Sequence, residues 1–364
     1  MNDELSAARA RIDAIDADIQ RLISERARIA QQVRDIKLRG GAAGDHYRPA
    51  REAQVLRRAM QRNRDLGSPL TDEVMARLMR EIMSACLALE SPLVVAYLGP
   101  EGTYTQAAVY KHFGHRVAAR VLTSIDEIFR EVEADSATYG VVPIENSTEG
   151  VVLSTLDLLA GTPLSICGEV WLPVHHQLLS RQQRLEDVEV VYSHPQSLGQ
   201  CRRWLDARLP RVTREPATSN GQAAKLVAES GRGAAIASAA AGELYGLAVL
   251  AANIEDDPNN VTRFLIIGRQ EPEPTGADRT SLVVSAHTGG RPGALFDLLQ
   301  PFAGAGINLT KLESRPSRRA AWDYNFFIDL DGHQHDPLVA PALQTVRSRA
   351  AFFRILGSYP RAVV

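Results

Sequence analysis

Along residues 5–38 the apolar positions recur at alternating spacings of three and four: Leu5, Ala8, Ile12, Ile15, Ile19, Leu22, Ile29, Val33 and Ile36. This heptad seam predicts a helix about 50 Å long. Arg26 stands where the seam calls for an apolar side chain. One short segment cannot cover so long a stripe, so a second copy of the chain is the expected partner. Gly40, Gly41 and Gly44 should end the helix. A second helix starts near Pro49, a good first-turn residue, and stops at Leu66-Gly67. A third runs from an N-cap at Thr71 to about Glu90, before Pro92.

From Leu93 the period changes. LVVAYLG (Leu93–Gly99) reads as a buried strand, followed by a turn at Gly99–Gly102 and a helix through Ala107 and Ala108. Strands recur at Tyr139–Ile144, Ser165–Val170, Val188–Tyr192, Ala234–Ala237 and Phe264–Ile267, interleaved with helical stretches. That pattern is α/β. Gly268–Arg279, with its Glu271-Pro-Glu-Pro274, is a linker. The remainder reads as strand Ser281–Ala286, helix Gly293–Phe302, strands Asn308–Ser314 and Trp322–Leu330, helix Pro337–Ser348 and strand Phe352–Gly357. The order βαββαβ is the ferredoxin-like α+β arrangement. The chain is thus multidomain: an all-α segment over 1–91, an α/β domain over 92–270 and an α+β domain over 278–364.

Composition changes this picture little. The 364 residues are 45% hydrophobic and 23% charged with net charge −2, which gives no reason to expect nucleic acid or membrane as partner. The N-terminus MNDELSAARARID is no signal peptide, and the cytoplasm is the expected compartment. Cys86, Cys167 and Cys201 are too few and too scattered for a disulfide framework or a zinc knuckle. Of 41 basic residues only Lys37, Lys111, Lys225 and Lys311 are lysine. In a chain that otherwise uses arginine, each lysine is mildly informative.

The chemistry gathers at strand ends. In GVVPIENSTEGVV (Gly140–Val152) four polar side chains, Glu145, Asn146, Ser147 and Thr148, follow a buried run without a spacer. Asn146 or Ser147 is expected to cap a helix over Val151–Leu159, and the surplus polar groups then read as a site. Gly99–Gly102 lacks the Gly-Lys-Ser/Thr element of a nucleotide loop. His175-His176 and His333/His335 lack supporting metal ligands and read as structural or solvated, so no metal is expected. Ser193-His194 has no acidic third member for a hydrolase triad.

ARARIDAID (Ala8–Asp16), SERARIAQQVRDIK (Ser24–Lys37), YRPAREAQVL (Tyr47–Leu56) and REIMSACLALE (Arg80–Glu90) resemble, in order, the all-helical chorismate mutases. The resemblance implies a site of Arg9, Arg26, Lys37, Arg51, Glu52 and Glu90. The cations would clamp the two carboxylates of chorismate, Glu52 would take its ring hydroxyl, and Arg9 would reach into a partner subunit. The rearrangement is unimolecular and needs no cofactor, only a folded substrate and charge stabilisation at the ether oxygen. Where relatives carry a glutamine this chain has Glu90, which donates to that oxygen only when protonated.

YLGPEGTYTQAA (Tyr97–Ala108), GVVPIENSTEG (Gly140–Gly150), VYSHPQSLGQC (Val191–Cys201) and NNVTRFLIIG (Asn259–Gly268) resemble prephenate dehydratase, with its Thr-Arg-Phe signature at Thr262-Arg263-Phe264. The family fold is two α/β lobes with the site between them. By position, the site would hold Glu145, Asn146, Ser193, Gln200, Thr262 and Arg263. Thr262 would donate or orient the proton for the departing hydroxyl, with Glu145 as its titrating partner. Arg263 and a helix N-terminus after Ser147 would hold the carboxylate.

GALFD (Gly293–Asp297) and KLESRPSR (Lys311–Arg318) resemble the phenylalanine-binding elements of ACT regulatory domains. That implies a site of Gly293, Ala294, Leu295, Glu313, Ser314, Arg315 and Pro316. The three resemblances together imply a homodimeric or larger isomerase and carbon–oxygen lyase. It would take chorismate through prephenate to phenylpyruvate, without cofactor, under feedback control by L-phenylalanine. The competing expectation is a catalytically inactive two-lobed small-molecule sensor with an ACT module.

Overall fold

The computed structural model of the chain describes residues 2–39, 47–90, 92–286, 292–317 and 324–363. Gly40, Gly41, Gly44, Trp322 and Arg318 lie outside the described residues. Two compact units result. The first is built on Met1–Arg48, Val55–Leu93 and Phe113–Ala118, and the second on Pro49–Gln54, Val94–His112 and Ala119–Val364.

Three helices come first: α1 (Asn2–Arg39), α2 (Pro49–Asp65) and α3 (Asp72–Ala88). Pro49 sits in the first turn of α2, and Thr71 caps α3 by accepting from the Val74 N–H. Leu56, Ala59, Ala76 and Cys86 are buried. The seam of α1 is not: Ile12 is 57%, Leu22 55% and Ile36 61% exposed. An isolated apolar stripe of that length is unstable in water.

The first α/β lobe holds β1 (Val94–Leu98), α4 (Tyr104–Phe113), β2 (Ala118–Leu122), α5 (Ile125–Glu133), β3 (Tyr139–Asn146), β4 (Gly150–Val151), α6 (Leu153–Gly161) and β5 (Ser165–Pro173). The second holds β6 (Gln177–Ser180), β7 (Val190–Ser193), α7 (Pro195–Gln200), α8 (Arg202–Arg208), β8 (Thr213–Pro216), α9 (Asn220–Ser230), β9 (Ala234–Ala237), α10 (Ala239–Tyr245) and β10 (Ala248–Ala251). The chain then returns to the first lobe as β11 (Val261–Gly268). The strand orders are β2-β1-β3-β11-β5, with β4 beside β3, and β10-β6-β9-β7-β8. Because β11 lies between β3 and β5, the first lobe is completed only after the second has been made.

The C-terminal segment is β12 (Asp278–Ser285), α11 (Ala294–Gly304), β13 (Leu309–Pro316), β14 (Tyr324–Asp331), α12 (Val339–Arg349) and β15 (Phe352–Pro360). Its sheet order, β13-β14-β12-β15, confirms the ferredoxin-like arrangement. Successive residues of its strands face opposite ways. Leu282, Val284 and Ile328 pack on Leu298, Phe302 and Val346 of its own helices. Val283, Phe327, Leu356 and Tyr359 join Val142, Leu156 and Leu265 of the first lobe in one core.

Two expectations change. Strands β3 and β11 run further than their apolar runs, so Glu145, Asn146, Thr262 and Arg263 lie within paired strands and not in loops. No helix is capped at Asn146 or Ser147. The Asn146 side-chain oxygen accepts from the Thr148 and Glu149 N–H groups, closing the β3–β4 turn, and α6 begins at Leu153 after an uncapped Val152. No described helix is long and apolar enough to cross a membrane.

Candidate functional site

Arg26 and Lys37 are eleven positions apart on α1, close to three full turns, so they share a face about 16 Å apart. Both are half-buried. Arg9 is exposed and lies about 26 Å along the axis from Arg26, so one chain cannot present both to one small ligand. Arg51 is exposed in the first turn of α2, beside half-buried Glu52, whose charge suits the positive helix end. Arg34 donates from Nη1 to the Leu89 carbonyl at 3.4 Å. That bond holds the end of α3, where half-buried Glu90 follows, against the last turns of α1 and one turn from Lys37.

The expected dehydratase residues divide between two faces of one strand pair. In the antiparallel register of β3 and β11, Thr262 stands opposite Asn146 and Arg263 opposite Glu145. Neighbours on an extended strand point to opposite sides. On the front, Asn146 Nδ2 donates to Thr262 Oγ1 at 2.8 Å and to Asn260 Oδ1 at 2.7 Å. Asn260 Nδ2 and His176 Nε2 both meet Gln200 Oε1, at 3.3 and 2.9 Å. Gln200 Nε2 in turn donates to Glu149 Oε1 at 3.2 Å. Gln200 belongs to the second lobe and Asn146 and Thr262 to the first, so the network spans both.

On the back, Arg263 donates to Glu169 (2.9 Å), Asp329 (2.5 Å) and the Tyr359 hydroxyl (2.9 Å), its side chain only 4% exposed. Burial alone would push its pKa down, but the Tyr359, Asp329 and Glu169 oxygens outweigh that and hold it above the ordinary arginine value. Glu145 accepts from Lys311 Nζ at 2.7 Å. This geometry corrects the expectation that Arg263 holds the substrate carboxylate and that Glu145 is the titrating partner of Thr262. Glu149, bonded to Gln200, is a carboxylate that this network does reach. Ser193 is also placed apart: fully buried, it donates to the Ile236 carbonyl at 2.8 Å and lies 3.0 Å from Asn220 Oδ1.

Asn260, Glu149, His176 and Tyr104 complete the front network; none was a site candidate in the sequence, where His176 reads as structural or solvated. Asn260 and Glu149 lie inside the stretches singled out above, but nothing in their spacing marks them. His176 is 1% exposed and meets the Tyr104 hydroxyl through Nδ1 at 2.9 Å. Since Gln200 Oε1 can only accept, His176 Nε2 carries a proton. Burial, with a smaller push from His175, holds this ring below the usual histidine value against the Gln200 bond and Glu255. A histidine held neutral in the fold opposes acid, because the unfolded chain binds the proton first. Its contribution is complete above pH 6.5 and is lost as pH falls toward its lowered value. In urea titrations, His176→Gln should therefore flatten part of the decline in stability below pH 6.5; an unchanged slope contradicts a buried neutral ring.

In the C-terminal domain Gly293 adopts φ +83° as the residue preceding α11, with Ala294 and Leu295 in the first turn. On β13, Glu313 and Arg315 share the face of Lys311, while Ser314 and Pro316 take the other. Arg315 is held by Asp157 of α6 at 2.8 and 3.0 Å. Among the described residues no group of three or more histidine, cysteine or acidic side chains could hold a metal ion.

The chorismate mutase type II family matches residues 8–91, prephenate dehydratase 95–272 and the ACT domain 280–348. Two curated relatives are described as bifunctional chorismate mutase/prephenate dehydratase, from Stutzerimonas stutzeri and from Pseudomonas aeruginosa PAO1. Each is 52% identical over 366 aligned positions, covering 100% of this chain and 99% of the relative. The crystal structure of prephenate dehydratase from Arthrobacter aurescens in complex with L-Phe is 37% identical. It superposes with a TM-score of 0.69, covering 74% of this chain and 90% of that one. The chain belongs to the bifunctional chorismate mutase/prephenate dehydratase family, with a helical mutase segment, a two-lobed dehydratase domain and an ACT domain in that order.

Proposed function

We propose that the two activities of this family are carried by separate sites, with boundaries at 1–91, 92–270 and 278–364. The enzyme rearranges chorismate to prephenate in the helical segment and converts prephenate to phenylpyruvate on the front of the β3–β11 pair. The observation that carries the second assignment is the Asn146–Thr262 bond. Asn146 donates into Oγ1, which leaves the Thr262 proton for an acceptor outside this network and stabilises negative charge on the oxygen as that proton moves. Prephenate loses CO₂ and its ring hydroxyl together. Thr262 gives its proton to the departing hydroxyl, which leaves as water, aromatisation of the ring drives the step, and Thr262 then regains a proton from solvent. Gln200 and Asn260 fix Asn146, while Ser193 acts indirectly by setting Asn220 and the start of α7. Asn146→Ala should slow phenylpyruvate release from prephenate by about tenfold or more. A native rate would remove Asn146 from the site.

Arg26, Lys37 and Arg51 hold the chorismate carboxylates, Glu52 its hydroxyl, and Glu90 the ether oxygen. Arg9 comes from a second copy, because it lies too far from Arg26 on its own helix. The wet seam of α1 is the surface that copy covers. Ile19→Glu places a charge in the seam at a position 48% exposed in one chain. It should yield monomers in light scattering and lose mutase activity with them. A dimer of native mutase rate would exclude α1 as the interface.

L-phenylalanine binds the ACT domain, its carboxylate on the N–H groups of Ala294 and Leu295 beyond Gly293, with Ser314 and Pro316 on the ligand side of β13. Arg315 and Glu313 face the dehydratase domain and act on the ligand only through the strand. The buried free cysteines suit the cytoplasm.

A further inference from the structure

Glu145 and Arg263, opposite one another on the back of β3 and β11, face a second registered pair. Lys311 and Asp329 are opposite residues on β13 and β14 of the ACT sheet. The charges are complementary two by two: Lys311 meets Glu145 at 2.7 Å and Asp329 meets Arg263 at 2.5 Å. The two contacts differ in kind. Arg263 has three partners and both ends of its Asp329 pair are buried, so separating them leaves uncompensated charge in the core. The Glu145 side chain is 37% exposed and open to water, whereas the cavity of about 20 Å³ beside Lys311, Arg263 and Asp329 is lined mainly by apolar residues such as Leu156, Leu265, Leu282 and Phe327. The Lys311–Glu145 pair can open and be rehydrated; the Arg263 pair cannot. Lys311 also lies two residues before Glu313 on the strand that carries the effector segment, and Glu145 directly precedes Asn146, which holds Thr262.

We propose that Lys311, contributed by the regulatory domain, is a positioning residue of the dehydratase site. Through Glu145 it sets Asn146 and Thr262, and a shift of β13 on phenylalanine binding reaches the reacting groups by this route. Arg263 serves as the fixed pivot. The proposal rests on placing the dehydratase site at Thr262 and the effector at α11 and β13. A ligand can shift such an equilibrium only by its differential affinity for the two arrangements.

The test uses the full chain as native enzyme, Lys311→Met and Lys311→Arg. Phenylalanine binding is followed by calorimetry, dehydratase kcat and KM with and without saturating phenylalanine, and mutase rate as the control for folding. Lys311→Met should bind phenylalanine, keep its mutase rate, and lose about fivefold or more of the inhibition seen in the native enzyme. Lys311→Arg should restore it. Full inhibition of Lys311→Met, loss of phenylalanine binding by it, or an arginine variant no better than the methionine one would each overturn the proposal. A native enzyme that binds phenylalanine without slowing would overturn it together with the regulatory reading. Failure of the site assignment appears separately, as prephenate turnover that survives Thr262→Ala.

Discussion

In the Thr262→Ala enzyme, prephenate turnover is expected to fall on the order of 10²-fold or more, the usual scale for losing a positioned proton donor. Chorismate rearrangement should proceed at the native rate. Thr262 is half-buried, so trimming its hydroxyl opens no large cavity and the fold should persist. The loss should lie in kcat more than in KM, because the proton moves only in the transition state. Thr262→Ser, which keeps the hydroxyl, should recover most of the rate. Equal losses in the alanine and serine variants would mean that the methyl group matters and the proton does not.

Arg263→Leu should destabilise the chain by about 3–5 kcal/mol, the cost typical of removing one partner from a buried ion pair. Glu169 and Asp329 would stay buried, with Arg279 Nη1, at 2.5 Å from Glu169, as the remaining cation bonded to them among the described residues. The Ser281 and Tyr359 hydroxyls, 2.7 Å apart, cannot neutralise two carboxylates. Urea unfolding of native and variant chains measures the difference. If Arg263 were instead a substrate ligand, the variant would keep native stability and lose affinity for prephenate. The same geometry argues that deleting Arg279–Val364 is a poor way to free the dehydratase from control. The deletion removes Asp329, Tyr359 and Arg279 at once and strips Val283, Phe327 and Leu356 from the shared core.

The elements with strong periods were legible in the sequence. The α1 seam, the Thr71 cap, Pro49 at the start of α2 and the βαββαβ order all announced themselves. Strands β2, β8 and β10 did not, because each is an edge strand with half-exposed or small side chains and therefore no clear alternation. Strand β6, with Gln177 and Ser180 at either end of two leucines, has no apolar run to mark it.

For the residues proposed for the dehydratase site, the sequence showed clusters and the structure shows a different geometry. Glu145-Asn146 and Thr262-Arg263 looked like clusters because adjacency in sequence suggests adjacency in space. Once β3 and β11 extend through them, the pleat separates each pair. The same alternation divides Glu313–Pro316. What lay beyond sequence reasoning was the partner on the far side of the sheet: nothing near Arg263 hints at Asp329, 66 residues later. Lys311 carried a faint signal, as one of four lysines among 41 basic residues.

The central claim is that one chain holds two independent sites, and a mixing experiment tests it most directly. Thr262→Ala and Arg26→Ala chains are each given chorismate alone and then together, with prephenate and phenylpyruvate followed in time. Alone, the first should accumulate prephenate and the second should leave chorismate largely unconverted; mixed, they should produce phenylpyruvate by passing prephenate through solution. Phenylpyruvate formed at the native rate by the Thr262→Ala chain alone, or none from the mixture although each chain retains its other activity, would contradict the account.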